Sequence, residues 1–260
     1  MNPLIARTGL VLSLLLSACT RLESEVVSFK GRDIEVVDAG DGPITVVFEA
    51  GLGDDWQRWN RVASDLSEDT RVFAYSRPGY GDSDEASTPR DPGQIVEELR
   101  ELLAAQEVPP PYVLVGHSFG GTYMELFARS HPDEVAGLVL VDSRPGEFLA
   151  RCEAAGLDQC GVPAASVAAT GGVFAAEYNG FAAASEEMMA AGGFGAYPVR
   201  VMTATRRGGK SRARMALWTE MHAALAEEAE DGAQIRVYGG HYLQVFHARR
   251  VAEVIRGVLP

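Results

Sequence analysis

Lysine is almost missing from this chain: Lys30 and Lys210 are the only two in 260 residues, so nearly all positive charge is arginine. Cations are outnumbered, with 23 Lys and Arg against 36 Asp and Glu, for a formal charge of −13. A molecule of that sign gains no general attraction from a phosphate backbone, so no nucleic-acid partner is expected. Cysteine is scarce as well, at 3. Cys152 and Cys160 have no His cluster near them at zinc-site spacing, so no metal is expected. No internal repeat or heptad is present, which excludes solenoids and coiled coils. Gly79-Tyr80-Gly81 lacks the Rossmann spacing and Gly116–Gly121 lacks a P-loop lysine, so the glycine-rich stretches imply no nucleotide, and no cofactor is expected. What remains is an ordinary globular composition, 47% apolar and 23% charged, of a length that one α/β domain can fill.

The N-terminus stands apart. Arg7 precedes an apolar run, Leu10 to Ala18, broken only by Ser13 and Ser17. It is shorter than the about 17 to 25 residues of a membrane-spanning helix and reads as the core of a signal peptide. The run ends in Leu16-Ser17-Ala18-Cys19, which resembles the lipobox of bacterial lipoproteins. That resemblance implies cleavage after residue 18, lipidation of Cys19, a tether over 19–25 and a membrane held by the lipid anchor. Thr20 in place of Asp implies the outer membrane, facing the periplasm or the cell surface. An exported compartment permits a disulfide, and Cys152 with Cys160 is the pair expected to form it.

From residue 26 onward, short apolar strands alternate with amphipathic helices. Strands are expected at Val26–Phe29, Asp33–Val37, Ile44–Phe48, Val72–Tyr75, Tyr112–Val115, Val135–Val141, Val199–Thr203 and Ile235–Tyr238. Helical spacing is seen over Trp56–Leu66, Pro92–Gln106, Ser118–Arg129, Ser211–Glu230 and Phe246–Leu259. The alternation predicts an α/β fold with a mostly parallel sheet of eight strands covered on both faces by helices. Residues 145–197 break the rhythm. They are rich in Ala and Gly, with helices plausible at Ala164–Phe174 and Ala182–Ala191, and read as a small helical lid inserted in a domain spanning 26–259.

The strongest chemical signal is Gly116-His117-Ser118-Phe119-Gly120, directly after an apolar strand and directly before a helix. Such a turn holds a serine hydroxyl clear of the sheet and needs small neighbours for close backbone approach, while the next N–H faces a developing oxyanion. With Glu49-Ala50-Gly51-Leu52-Gly53, Tyr75 to Ser83, and Gly240-His241-Tyr242, this motif makes the chain resemble the α/β-hydrolase superfamily, in its proline-iminopeptidase, esterase and haloperoxidase-like branch. The resemblance implies Ser118 as nucleophile, His241 as base, and an oxyanion hole from the N–H groups of Leu52 and Phe119. The stretch Val199 to Gly209, where the family usually carries its acid, has no carboxylate. Asp142, at the end of an earlier strand, is the expected substitute, with Glu147 the next choice.

The expected reaction is hydrolysis of a carboxylic ester through an acyl-serine, on a small-molecule ester or amide substrate. The alternatives are an aminopeptidase or amide hydrolase, a C–C hydrolase or haloperoxidase-like activity, and an inactive membrane-anchored binding protein. Gly51, Tyr242 and Glu147 are expected around the substrate, with Glu147 or Glu153 available to hold an α-amine. Arg77 is expected to pair with Asp82. The acidic composition gives no reason to expect recognition of a carboxylate.

Overall fold

The computed structural model describes residues 21–206 and 208–260; the segment expected to be a signal peptide, and Cys19, lie outside the described residues. One sheet of eight strands organises the chain: β1 (Glu25–Phe29), β2 (Arg32–Ala39), β3 (Thr45–Glu49), β4 (Arg71–Tyr75), β5 (Tyr112–His117), β6 (Val135–Val141), β7 (Val199–Ala204) and β8 (Gly232–Val237). Their spatial order is β1-β2-β4-β3-β5-β6-β7-β8. β2 pairs antiparallel with β1 and β4, and every other pairing is parallel.

The side-chain period of two explains the two cores. Along β3, Val46 and Phe48 face one hydrophobic cluster and Val47 the other. Along β6, Val139 and Val141 join the first, Leu138 and Leu140 the second. The first core is closed by α1 (Asn60–Leu66) and the C-terminal helix Ala248–Arg256; the second is closed mainly by α2 (Pro92–Ala105) and α3 (Phe119–Ser130). Such strands, buried on both faces, read as continuous apolar runs.

Several boundaries differ from the sequence expectation. Trp56–Trp59 forms a 3₁₀ turn before α1, capped by Asp55, whose carboxylate accepts from the Gln57 N–H. Between β6 and β7 lie four α-helices, α4 (Phe148–Ala154), α5 (Ala164–Thr170), α6 (Gly172–Gly180) and α7 (Ala184–Ala191), with a 3₁₀ turn, Phe181–Ala183, between the last two. The continuous helix expected to Phe174 is cut where Gly171 and Gly172 adopt φ of 62° and 54°, outside the right-handed helical region. After β7, α8 spans Arg212–Glu227; a short α9 (Leu243–Phe246) then precedes α10 (Ala248–Arg256), which is shorter at both ends than the expected Phe246–Leu259. No helix among the described residues is long and apolar enough to cross a membrane.

Candidate active site

Ser118 sits between β5 and α3 with φ 54° and ψ −121°, a conformation that L-residues rarely adopt. The flanking glycines are required by contact. A Cβ on Gly116 would run into the Gly120 carbonyl, and one on Gly120 into the backbone of Glu49 and Ala50. Asp142 ends β6 at φ 45°, and His241 lies in the loop between β8 and α9. Parallel pairing of β5, β6 and β7 brings these strand ends to one edge of the sheet.

The three side chains meet. Ser118 Oγ lies 2.9 Å from His241 Nε2, and His241 Nδ1 lies 2.7 Å from Asp142 Oδ2. The other Asp142 oxygen accepts from the Ala204 N–H at 2.9 Å and from Trp218 Nε1–H at 2.8 Å. Burial alone would raise the Asp142 pKa, but the His241 hydrogen bond and charge hold the carboxyl below its ordinary value. Sequence reasoning found the carboxylate and missed Trp218, which reads only as an apolar position on α8.

His117 and His222 support the arrangement from behind. His117 Nε2–H donates to the His241 carbonyl at 3.0 Å, and the two rings are 4.5 Å apart. Burial, with the His241 ring, depresses the His117 pKa well below the usual range, so this ring stays neutral. His222 is fully buried: its Nε2 lies 2.8 Å from the Ser143 carbonyl and its Nδ1 2.9 Å from Thr203 Oγ1. His222 is therefore a core residue.

A cavity of about 280 Å³ opens onto Ser118 and His241. Gly51, Leu52, Phe119 and Tyr242 line it as expected. Gly51 is tightly packed: a Cβ would stand 3.0 Å from His117 Nδ1 and 3.3 Å from Ser118 Cβ, so a side chain there would press on both. Phe119 opens α3, where N–H groups have no intrahelical acceptor. Glu147 does not belong to this cavity. It is exposed at the start of α4 and lines a separate cleft with Arg129 and Glu228, because the chain turns outward after Pro145. A wider groove of about 1000 Å³, bordered by α1 and α10, contains none of the expected site residues.

Arg77 also corrects the expectation. It does not pair with Asp82. It is buried and bonds Glu49 at the end of β3 and both oxygens of Glu177 on α6, the latter at 2.9 Å each. Its remaining donors reach the carbonyls of Ala50 at 2.7 Å and Gly51 at 2.9 Å. One guanidinium thus ties the glycine-containing loop after β3 to the segment inserted between β6 and β7.

The cavity wall holds a further surprise for so acidic a chain: Arg144, Lys210 and Arg214 all line it. The absence of an acid after β7 was visible in the sequence; the basic residues that stand there, Arg206 to Arg214, were the overlooked signal.

Comparison with known proteins agrees with this architecture. The family model described as alpha/beta hydrolase fold matches residues 44–178, just over half of the chain. The Bacillus subtilis protein YqjL is 36% identical over 108 residues, 42% of this chain and 43% of that protein. The putative carbamate hydrolase RutD of Yersinia enterocolitica is 37% identical over 105 residues, 39% of this chain and 36% of its own. The matched stretch spans less than half of either relative. An epoxide hydrolase from Vigna radiata superposes with a TM-score of 0.69 at 14% identity, covering 91% of this chain and 97% of that one. The enol-lactonase from Burkholderia xenovorans gives 0.61 at 16%, covering 90% and 99%. At such identities these structures share the fold, and together with the matched family they place this chain in the alpha/beta-hydrolase fold family.

Proposed function

We propose that the chain is a serine hydrolase that cleaves carboxylic esters through an acyl-enzyme intermediate. One observation carries this reading: the unbroken hydrogen-bonded series from Asp142 through His241 to Ser118, open to a cavity. His241 Nε2 takes the Ser118 proton as Oγ attacks the ester carbonyl. Asp142 holds the ring in the Nδ1–H tautomer and stabilises the cation that forms. The N–H groups of Leu52 and Phe119 receive the oxyanion, each such donor contributing about 3 to 4 kcal/mol in comparable sites. His241 then returns the proton to the leaving alcohol, and a water deprotonated by the same ring cleaves the acyl-serine. Residues 145–197 serve as the lid, supplying Cys160, Gly161, Val162 and Phe174 to the cavity wall.

The other readings fit less well. An aminopeptidase must hold an α-ammonium, yet Glu147 and Glu153 are exposed and the cavity wall carries arginine and lysine instead. An inactive binding protein would have no need of a strained Ser118 bonded to a histidine–carboxylate pair. The Leu16-Ser17-Ala18-Cys19 sequence supports the further proposal that the mature chain starts at a lipidated Cys19 and acts at a membrane, which mass spectrometry of the mature N-terminus tests.

The activity is tested by hydrolysis of p-nitrophenyl acyl esters by the wild type and Ser118→Ala. Turnover that falls by 10³-fold or more in the variant is the expected result. Equal rates for the two proteins would overturn the proposal.

A further inference from the structure

The sequence places five cations within nine residues, Arg206, Arg207, Lys210, Arg212 and Arg214, with no acidic residue among them. In a chain of net charge −13 this is the opposite of the surrounding trend. It also breaks a local rule. Lys210 directly precedes the Ser211 cap of α8 and Arg214 lies in its first turn, where the helix dipole disfavours positive charge. Local rules broken without local compensation cluster at functional sites.

The geometry gives the cations a common target. Arg214 is buried, its Nε–H donates to the Gln159 carbonyl at 2.8 Å, and neither terminal nitrogen has an acceptor among the described residues. Arg144, 8% exposed, lies against the Phe119, Phe148 and Phe181 rings; the one hydrogen-bond acceptor for its guanidinium is the Cys160 carbonyl, at 3.3 and 3.4 Å, and its Nε has no hydrogen-bond partner. Lys210 has no ion pair or hydrogen bond among the described residues, and the residues outside the description contain no carboxylate that could supply one. All three line the cavity of Ser118. The nearby carboxylates are already engaged. Asp142 bonds His241, Ala204 and Trp218, and Asp54 bonds Arg58 at 2.8 Å. Burial lowers the pKa of Lys210, as does neighbouring Arg214, while burial and Arg214 act likewise on Arg144. Two buried guanidiniums and a half-buried ammonium sharing one small cavity are costly unless an anion joins them.

We propose that Arg144, Lys210 and Arg214 form an anion subsite, so that the ester hydrolysed at Ser118 carries a second, negatively charged group, a carboxylate or a phosphate. This rests on the esterase reading for its chemistry but not for its binding. The carbonyls of Gln159 and Cys160 hold the two guanidiniums toward the cavity, and the bond between Cys152 and Cys160 fixes the loop that carries them. The acidic composition gives no reason to expect recognition of a carboxylate; the wall of this cavity supplies one.

Two measurements test the subsite separately from catalysis. In the first, glutarate and inorganic phosphate are titrated calorimetrically into the full-length Ser118→Ala protein, with glutaramide as the neutral control. Binding of one anion and not of glutaramide is expected, the anion that binds identifying the group. Arg214→Gln should weaken it about tenfold or more and Arg214→Lys should restore most of it, an outcome that loss of folding would not produce. Absence of binding by both anions, or equal binding of glutaramide, overturns the subsite. In the second, kcat/KM is compared for mono-p-nitrophenyl glutarate and its methyl-capped neutral ester. A preference of about tenfold or more for the anion is expected, equivalent to about 1.4 kcal/mol. If anions bind but neither ester is turned over, the esterase reading fails and the subsite stands; if the neutral ester is preferred and no anion binds, the reverse holds.

Discussion

Asp142 reaches its position through two strand ends rather than one. Its own N–H donates to the Met202 carbonyl on β7, and its Oδ1 accepts from Ala204 at the end of that same strand. The carboxylate is thus fixed before it meets His241. Asp142→Asn would keep an acceptor for Ala204 and Trp218 but would turn an amide N–H toward His241 Nδ1, forcing the other tautomer. A loss in kcat of about 10⁴ is expected, by analogy with the same change in another serine hydrolase, and thermal unfolding with circular dichroism would show the fold retained. At this scale the sequence was legible wherever a residue's role depends on its immediate neighbours. Ser118 and His241 sit in short glycine-flanked turns whose geometry is local. Arg144, Arg214 and Trp218 were not legible, because where a long side chain points is decided by a loop or helix far along the chain. Glu177 was least legible of all: its partner Arg77 lies 100 residues away.

At the level of elements, the central strands were read to within one or two residues of their ends, because a doubly buried strand announces itself as an apolar run; β8, half-exposed at the sheet edge, begins three residues before the expected Ile235. The helices between β6 and β7 were harder, since Ala-rich stretches have weak amphipathic pattern and Gly171-Gly172 cuts them. What pins this segment is charge. Arg77→Met would leave Glu49 buried without its counter-charge and Glu177 with only the longer contact to Arg90 at 3.5 Å, and unfolding in urea is expected to show a loss of about 3 to 5 kcal/mol. A second buried pair predicts a pH effect. On α3, Glu125 lies 3.0 Å from Arg129, and burial pushes its carboxyl up from 4.5 to about 7 against the pull of that arginine. The folded chain therefore keeps a proton that the unfolded chain releases between those two values. Stability from this group is complete below about pH 4.5 and is lost as the pH rises toward 7. Glu125→Gln holds its proton equivalent at every pH. Its melting temperature should gain on that of the wild type as the pH rises from 4.5 to 8, and parallel curves would count against the assignment.

For the molecule as a whole, a cavity of about 280 Å³ sets the size of what can enter. It lies at the small end of ligand pockets, so kcat/KM across a series of acyl lengths should peak at short chains and fall for long ones. An optimum at long chains would mean that the 145–197 segment opens further than its structure shows. Composition misled at this scale: a net charge of −13 says how the surface behaves, not what a cavity wall of three cations receives. The Arg77 junction also constrains anyone who would re-engineer the enzyme. Because Glu177 comes from the inserted segment, while Glu49, Ala50 and Gly51 come from the loop beneath it, the two are halves of one lock. Transplanting another hydrolase's insertion without an acid at that place would leave Arg77 with Glu49 as its one buried carboxylate partner and unsettle the loop after β3. Chimaeras should therefore exchange both pieces together or neither.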